Sequence, residues 1–202
     1  MKYKITITVI LFIFSVIYFK NSIQFIRSND KLMKILKEKQ EIFNIQPVDA
    51  IITNQTIIPG INGKNINLDK SYNNMKSINE FKESLLVFDI INPNKSIKDH
   101  YDKVIVSGNP KINQISVITK FDSKYCYTDN LTIKKECILS GKYTILIHKI
   151  NNNYLTNIKD ILRNGIIVYL ESIKEDDFNT LIKYIKNNNY NIVPIDTIIS
   201  EM

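Results

Sequence analysis

The sequence predicts an α/β chain in three parts: an N-terminal transmembrane helix, a small mixed αβ domain, and a partial, truncated βα sheet. Three observations carry this. Apolar residues run almost unbroken from Ile5 to Phe19 between lysines. Short β-branched stretches alternate with turn residues from Asp49 to Phe121. Helical and strand periods then alternate from Tyr154 to Ile199. The corresponding divisions are residues 1–27, 28–110 and 111–202, the last drawn where the mixed pattern gives way to the alternating one.

Lys2 and Lys4 precede the first apolar run, and Thr6, Thr8 and Ser15 are its only interruptions before Lys20. Fifteen residues of helix reach about 22 Å, short of a hydrocarbon core of about 30 Å. Continuing through Ile23, Phe25 and Ile26 makes up the difference, with Lys20 snorkelling to the headgroups. No small-x-small cleavage site follows, so the expectation is an uncleaved single-pass anchor in the cell membrane, spanning from Ile5 to Ile26. The body is placed on the extracytoplasmic side. Lys2 and Lys4 favour an inside N-terminus, although Lys20, Arg27, Lys31 and Lys34 pull the other way.

Ser28, Asn29 and Asp30 can cap a second helix in which Leu32, Ile35, Leu36, Ile42 and Phe43 fall near one face. Pro47 ends it. Thr56 to Ile58 before Pro59-Gly60, and Asn62-Gly63 before Ile66 and Leu68, predict short strands joined by tight turns. Leu68, Tyr72, Met75 and Ile78 return to helical spacing, and strands are expected at 85–91, 104–106, 115–121 and 143–148.

In the C-terminal part, Leu155, Ile158, Ile161 and Leu162 recur at helical spacing until Asn164-Gly165, where Gly supplies a left-handed residue. Ile166 to Leu170 is continuously apolar, the pattern of a strand buried on both faces in a parallel sheet. Ser172 and Glu175 have capping-box spacing ahead of a helix with Phe178, Leu181, Ile182 and Ile185 on one stripe. Asn187 to Asn189 stop that helix, and Ile192, Val193 and Ile195 predict the next strand, parallel to the last.

The charge narrows the partners. Residues 1–40 hold eight Lys or Arg against two acids, whereas the remainder holds nineteen against eighteen. The net +7 is therefore an end effect, and the folded part offers no basic face for nucleic acid. Cys126 and Cys137 are the two cysteines. They can close a loop in an oxidising compartment, or remain a pair of buried thiols, since spacing does not fix their distance. His100 and His148 are the two histidines, and neither lies in a metal-binding pattern. There is no nucleophile elbow, phosphate-binding Gly loop or dinucleotide fingerprint.

Two stretches carry a resemblance. Gly165 to Glu171, followed by a helix and Tyr190-Asn191-Ile192-Val193-Pro194-Ile195, is similar to the last catalytic strand, helix and closing strand of the polysaccharide deacetylases. Ile115 to Asp122 is similar in type to that family's first strand, which ends in Thr-Phe-Asp-Asp. The likeness runs from about Ile112 to the end, under half of the chain, and the preceding anchor and mixed domain match the layout of surface-anchored members. It implies a metal-dependent esterase acting on acetylated amino sugars of chitin or peptidoglycan.

The departures from that pattern shape the functional reading. Asp122 stands where the family has an Asp pair, but Ser123 follows it; no His-x-x-x-His occurs; and the place of the final acid His falls on Glu171. Without two imidazoles there is little to grip a divalent ion, so no cofactor is expected and Asp122 and Glu171 read as vestiges. The plainer readings are a turn residue for Asp122, a helix-flanking residue for Glu171 and a strand-edge residue for His148. Tyr125, Tyr127 and Tyr154 are candidates for stacking on sugars, while Tyr169 reads as core. The expected function is an envelope protein of degenerate deacetylase type that binds cell-wall glycan or a protein partner. The alternatives are an active metal-dependent deacetylase and a structural partner in an envelope complex.

Overall fold

The computed structural model describes residues 12–18, 29–98 and 100–201. It divides into two compact units, one drawn from residues 1–45 and 64–90, the other from 46–63 and 91–202. The two units interleave in sequence, and residues 46–63 and 91–110 belong with 111–202. Residues 12–18 are helical, and Phe12, Ile13, Phe14, Val16 and Ile17 are all exposed. Most of the expected span from Ile5 to Ile26 lies outside the described residues, among which no helix is long and apolar enough to cross a membrane.

In the first unit, α1 (Lys31–Phe43) and α2 (Leu68–Met75) pack through Leu32, Leu36 and Met75, with Tyr72, Phe81 and Leu85 around them. Of the three candidate caps, Asp30 is the one used. Its Oδ1 accepts from the Leu32 and Met33 amides at 2.8 and 3.4 Å, and its Oδ2 accepts from the Tyr72 hydroxyl at 3.2 Å. Asn67 caps α2 by accepting from the Lys70 amide.

The second unit opens with β1 (Ile51–Ile52) and β2 (Thr56–Ile58), an antiparallel pair whose turn is Thr53 to Thr56. Asn62-Gly63 is not a hairpin turn: Gly63 starts β3 (Gly63–Ile66), which pairs with β4 (Phe88–Ile91) in a separate two-stranded sheet that falls mostly in the first unit. Gly60 is needed for close approach, since a Cβ there would lie 2.3 Å from the Val48 carbonyl oxygen. The strand expected at 85–91 is shorter, because residues Glu83–Leu85 make a 3-10 turn.

The remaining elements are β5 (Val104–Ile105), β6 (Gln114–Ile118), β7 (Cys126–Thr128), α3 (Lys135–Leu139), β8 (Thr144–Leu146), β9 (His148–Ile150), α4 (Tyr154–Ile161), β10 (Ile167–Leu170), α5 (Glu175–Asn187), β11 (Asn191–Ile192) and α6 (Ile195–Ile198). They form a five-stranded sheet in the order β1-β2-β5-β8-β7 and a four-stranded sheet in the order β11-β6-β10-β9. Only Ile147 separates β8 from β9, so one run of chain passes from the first sheet to the second. All pairings but β1 with β2 are parallel in these two sheets.

Two apolar clusters follow from strand alternation. Ile115, Ile150, Ile166, Val168 and Leu170 pack with Ile158 of α4 and Leu181 and Ile185 of α5. Ile57, Ile105, Ile145 and Ile167 pack with Ile195, Ile198 and Ile199 in the second cluster. β10 and β11 are parallel in one sheet, as expected, with β6 between them. Two other C-terminal expectations are corrected. Ile195 belongs to α6, not to a strand, because Pro194 opens a helical turn whose isoleucines fill the interior. Ser172 does not cap α5; it is left-handed at φ 56°, and Lys174 stands at the cap. Glu175, Asp176 and Asp177 in the first turn meet the helix dipole instead. Gly165 is left-handed at φ 79°, as expected, and Asn189 at φ 63°. A Cβ on Gly165 would sit 2.4 Å from the Gly108 carbonyl oxygen.

Candidate functional site

In a parallel sheet, residues paired across strands share a face. Tyr169 pairs with Ile118 of β6 and Lys149 of β9, which places these three together at the carboxyl ends of their strands. Val168 pairs with Val117 and His148 on the opposite, helix-covered face. The two histidine-adjacent residues are therefore split: Lys149 joins the mouth, and His148 does not.

An aromatic stack closes that mouth. The Phe121 ring lies 4.4 Å from Tyr169 and 4.6 Å from Tyr127, stacked on both, so it bridges β10 and β7. Tyr125 meets Tyr127 edge-on at 6.4 Å and donates its hydroxyl hydrogen to Asp196. Beneath the rings lies the inter-sheet cluster of isoleucines. Burial pushes the Tyr125 hydroxyl above the usual tyrosine value, and the hydrogen bond to Asp196 adds to it. Tyr127 is also raised, chiefly by burial. Phe121, Tyr125, Tyr127, Cys126, Cys137 and Lys149 are among the residues lining an adjoining cleft of about 660 Å³.

Asp122 is exposed and sits in a turn. Its Oδ1 accepts from the Lys124 amide at 2.9 Å, its carbonyl accepts from the Tyr125 amide at 3.2 Å, and its own amide donates to the Tyr127 hydroxyl oxygen at 3.2 Å. Glu171 is paired with Lys149 at 3.0 Å, both side chains partly exposed. His148 lies 3.5 Å from Arg163, and burial first, then the Arg163 guanidinium, holds its imidazole below the ordinary histidine value. Tyr154 lines a different cleft, of about 490 Å³, and its hydroxyl donates toward the Glu171 and Asn151 carbonyls. The structure joins Cys126 to Cys137 in a disulfide.

The donor set does not fit the divalent metal that the deacetylase resemblance implies. Among the described residues no three His, Cys, Asp or Glu side chains come together in a metal-binding group. Asp122 is engaged in its turn, Glu171 faces an ammonium, and His148 is on the other face of β9. The structure thus brings Tyr125 and Tyr127 together with Asp122, and leaves Tyr154 and His148 apart from them. Sequence reasoning missed Phe121, Lys149 and Asp196. Phe121 read as the end of a strand, and its role depends on the chain leaving β6 at Ile118. The Lys149 pairing depends on strand register, for which the sequence offers no direct signal.

Comparison with known proteins addresses the fold. BA3943 from Bacillus anthracis, a CE4 family pseudoenzyme, superposes with a TM-score of 0.57 at 14% identity, covering 86% of this chain and 96% of that one. The fold is polysaccharide-deacetylase-like. A BA3943 mutant with restored enzymatic activity aligns with the same score and identity over 85% of this chain and 99% of its own. The structural likeness therefore extends well beyond the stretch from Ile112 onward. In sequence, the uncharacterized protein YlxY of Bacillus subtilis (strain 168) is 30% identical over 92 residues, which is 45% of this chain and 29% of that protein. No family model matches.

Proposed function

We propose that this chain is a catalytically degenerate deacetylase-like protein, held at a membrane by its N-terminal segment with the body outside, that binds cell-envelope glycan without hydrolysing it. The observation that carries the reading is the aromatic stack of Tyr127, Phe121 and Tyr169 at the mouth of the four-stranded sheet. Aromatic faces and partly exposed hydroxyls suit pyranose rings, whose C–H surfaces stack and whose hydroxyls need partners. Lys149 and Glu171 beside the stack supply a donor and an acceptor. That BA3943, of similar fold, is a pseudoenzyme supports the loss of catalysis by analogy of fold. The exposed apolar helix at residues 12–18, with Lys2, Lys4 and Lys20 around it in sequence, supports the anchor.

The test is sedimentation of the full chain, solubilised in mild detergent, with purified peptidoglycan. Retention that falls at least several-fold in Tyr125→Ala and Tyr127→Ala is the expected result. No retention of the native chain rejects glycan binding and leaves a protein partner as the envelope ligand. Acetate release from the same glycan in the presence of zinc, abolished by Asp122→Ala, would instead establish an active deacetylase.

A further inference from the structure

Between β7 and β8, residues 129–142 lie beside the cleft, ahead of Tyr143, which stacks on Tyr101. Among the described residues, the one buried side chain of α3 is Cys137. Its neighbours Ile138 and Leu139 are exposed, Leu139 to 78%, and no side chain caps the helix at Lys134. The hydrogen bonds of the segment are local: Thr128 with Asn130, Asn130 with Thr132, Ser140 with Glu136, and the Lys142 amide with the Cys137 carbonyl. Such a segment has few long-range contacts to oppose opening. The disulfide ties it to Cys126, which lies between Tyr125 and Tyr127 in the cleft wall.

We propose that the Cys126–Cys137 bond is a reducible latch that fixes the crossover and the wall of the aromatic cleft, so that the cleft is shaped only in the oxidised chain. The reductant is a dithiol. Its thiolate attacks Cys126 Sγ, because Cys126 is half-buried whereas Cys137 is buried, and Cys137 leaves as a thiolate that takes up a proton. The second thiol of the reductant then displaces Cys126, so the protein gains two electrons and two protons as two thiols and the reductant becomes a disulfide. Once freed, residues 129–142 lose their anchor at α3. The four-stranded sheet keeps its own cluster, which contains neither cysteine. The latch does not depend on what occupies the cleft.

Hydrogen exchange on the full chain in detergent, before and after dithiothreitol, tests this. The expected result is at least ten-fold faster exchange in residues 125–142, unchanged exchange in β6 and β10, and recovery on reoxidation. The Cys126→Ser/Cys137→Ser double variant should show the same pattern without reductant. Unchanged exchange in residues 129–142 would overturn the proposal. So would acceleration spread equally through β6 and β10, which would make the bond a global staple.

Discussion

On the helix-covered face of the four-stranded sheet, Ile115, Val168, Leu170, Leu181 and Ile185 are fully buried, whereas at the mouth Phe121 is 53% exposed and Tyr125, Tyr127 and Tyr169 are half-buried. The first region is made by periodic apolar residues within regular elements. The second is made by residues that leave those elements and meet across loops. Burial of the first kind holds a fold whatever chemistry its mouth performs, because apolar area is indifferent to catalysis. The fold can therefore be held by the first region while the residues at the mouth vary.

The sharpest contrast in stability should follow from cavities. Leu181→Ala should cost about 2–5 kcal/mol, as for other fully buried aliphatic side chains, read as a shift in the urea midpoint at constant slope. Phe121→Ala should cost about 1–2 kcal/mol, because the ring is half in solvent but loses two stacking partners. A Phe121→Ala loss as large as that of Leu181→Ala would erase the distinction between the two regions.

Acidity separates them further. The His148 imidazole is held below its ordinary value near 6.5, so the unfolded chain binds more protons than the folded one between that value and the lowered one. Stability should therefore fall as pH drops from about 6.5 through that window and level off below it. His148→Gln should flatten this dependence, measured as the unfolding midpoint across pH 4.5–7.5. The smallest effect belongs to the turn residue Asp122. Asp122→Ala should change stability by about 0.5 kcal/mol or less, as expected for an exposed position, although it removes an acceptor for the Lys124 amide.

The legibility of the fold follows the same division. Residues 154–192 were readable because Ile158, Leu181 and Ile185 keep a helical period and Gly165 and Asn189 mark left-handed stops. Ile195 lies in a helical turn and not in the expected strand, because an apolar residue after a strand fits either until Pro194 is given its weight. Residue type alone makes Tyr125 and Tyr127 candidates for stacking on sugars. Phe121 between Tyr127 and Tyr169, and Lys149 against Glu171, arise from register between segments distant in sequence. Periodicity reports which way a side chain faces, but not which one it meets.

Among the described residues, no group of side chains at this mouth is assembled to hold a catalytic ion. Isothermal titration of zinc into the full, oxidised chain tests this directly, with Asp122→Ala and Glu171→Ala chains in parallel. No saturable heat at micromolar zinc and three indistinguishable traces are expected; one equivalent bound by the native chain and lost in either variant would show that the mouth does hold an ion.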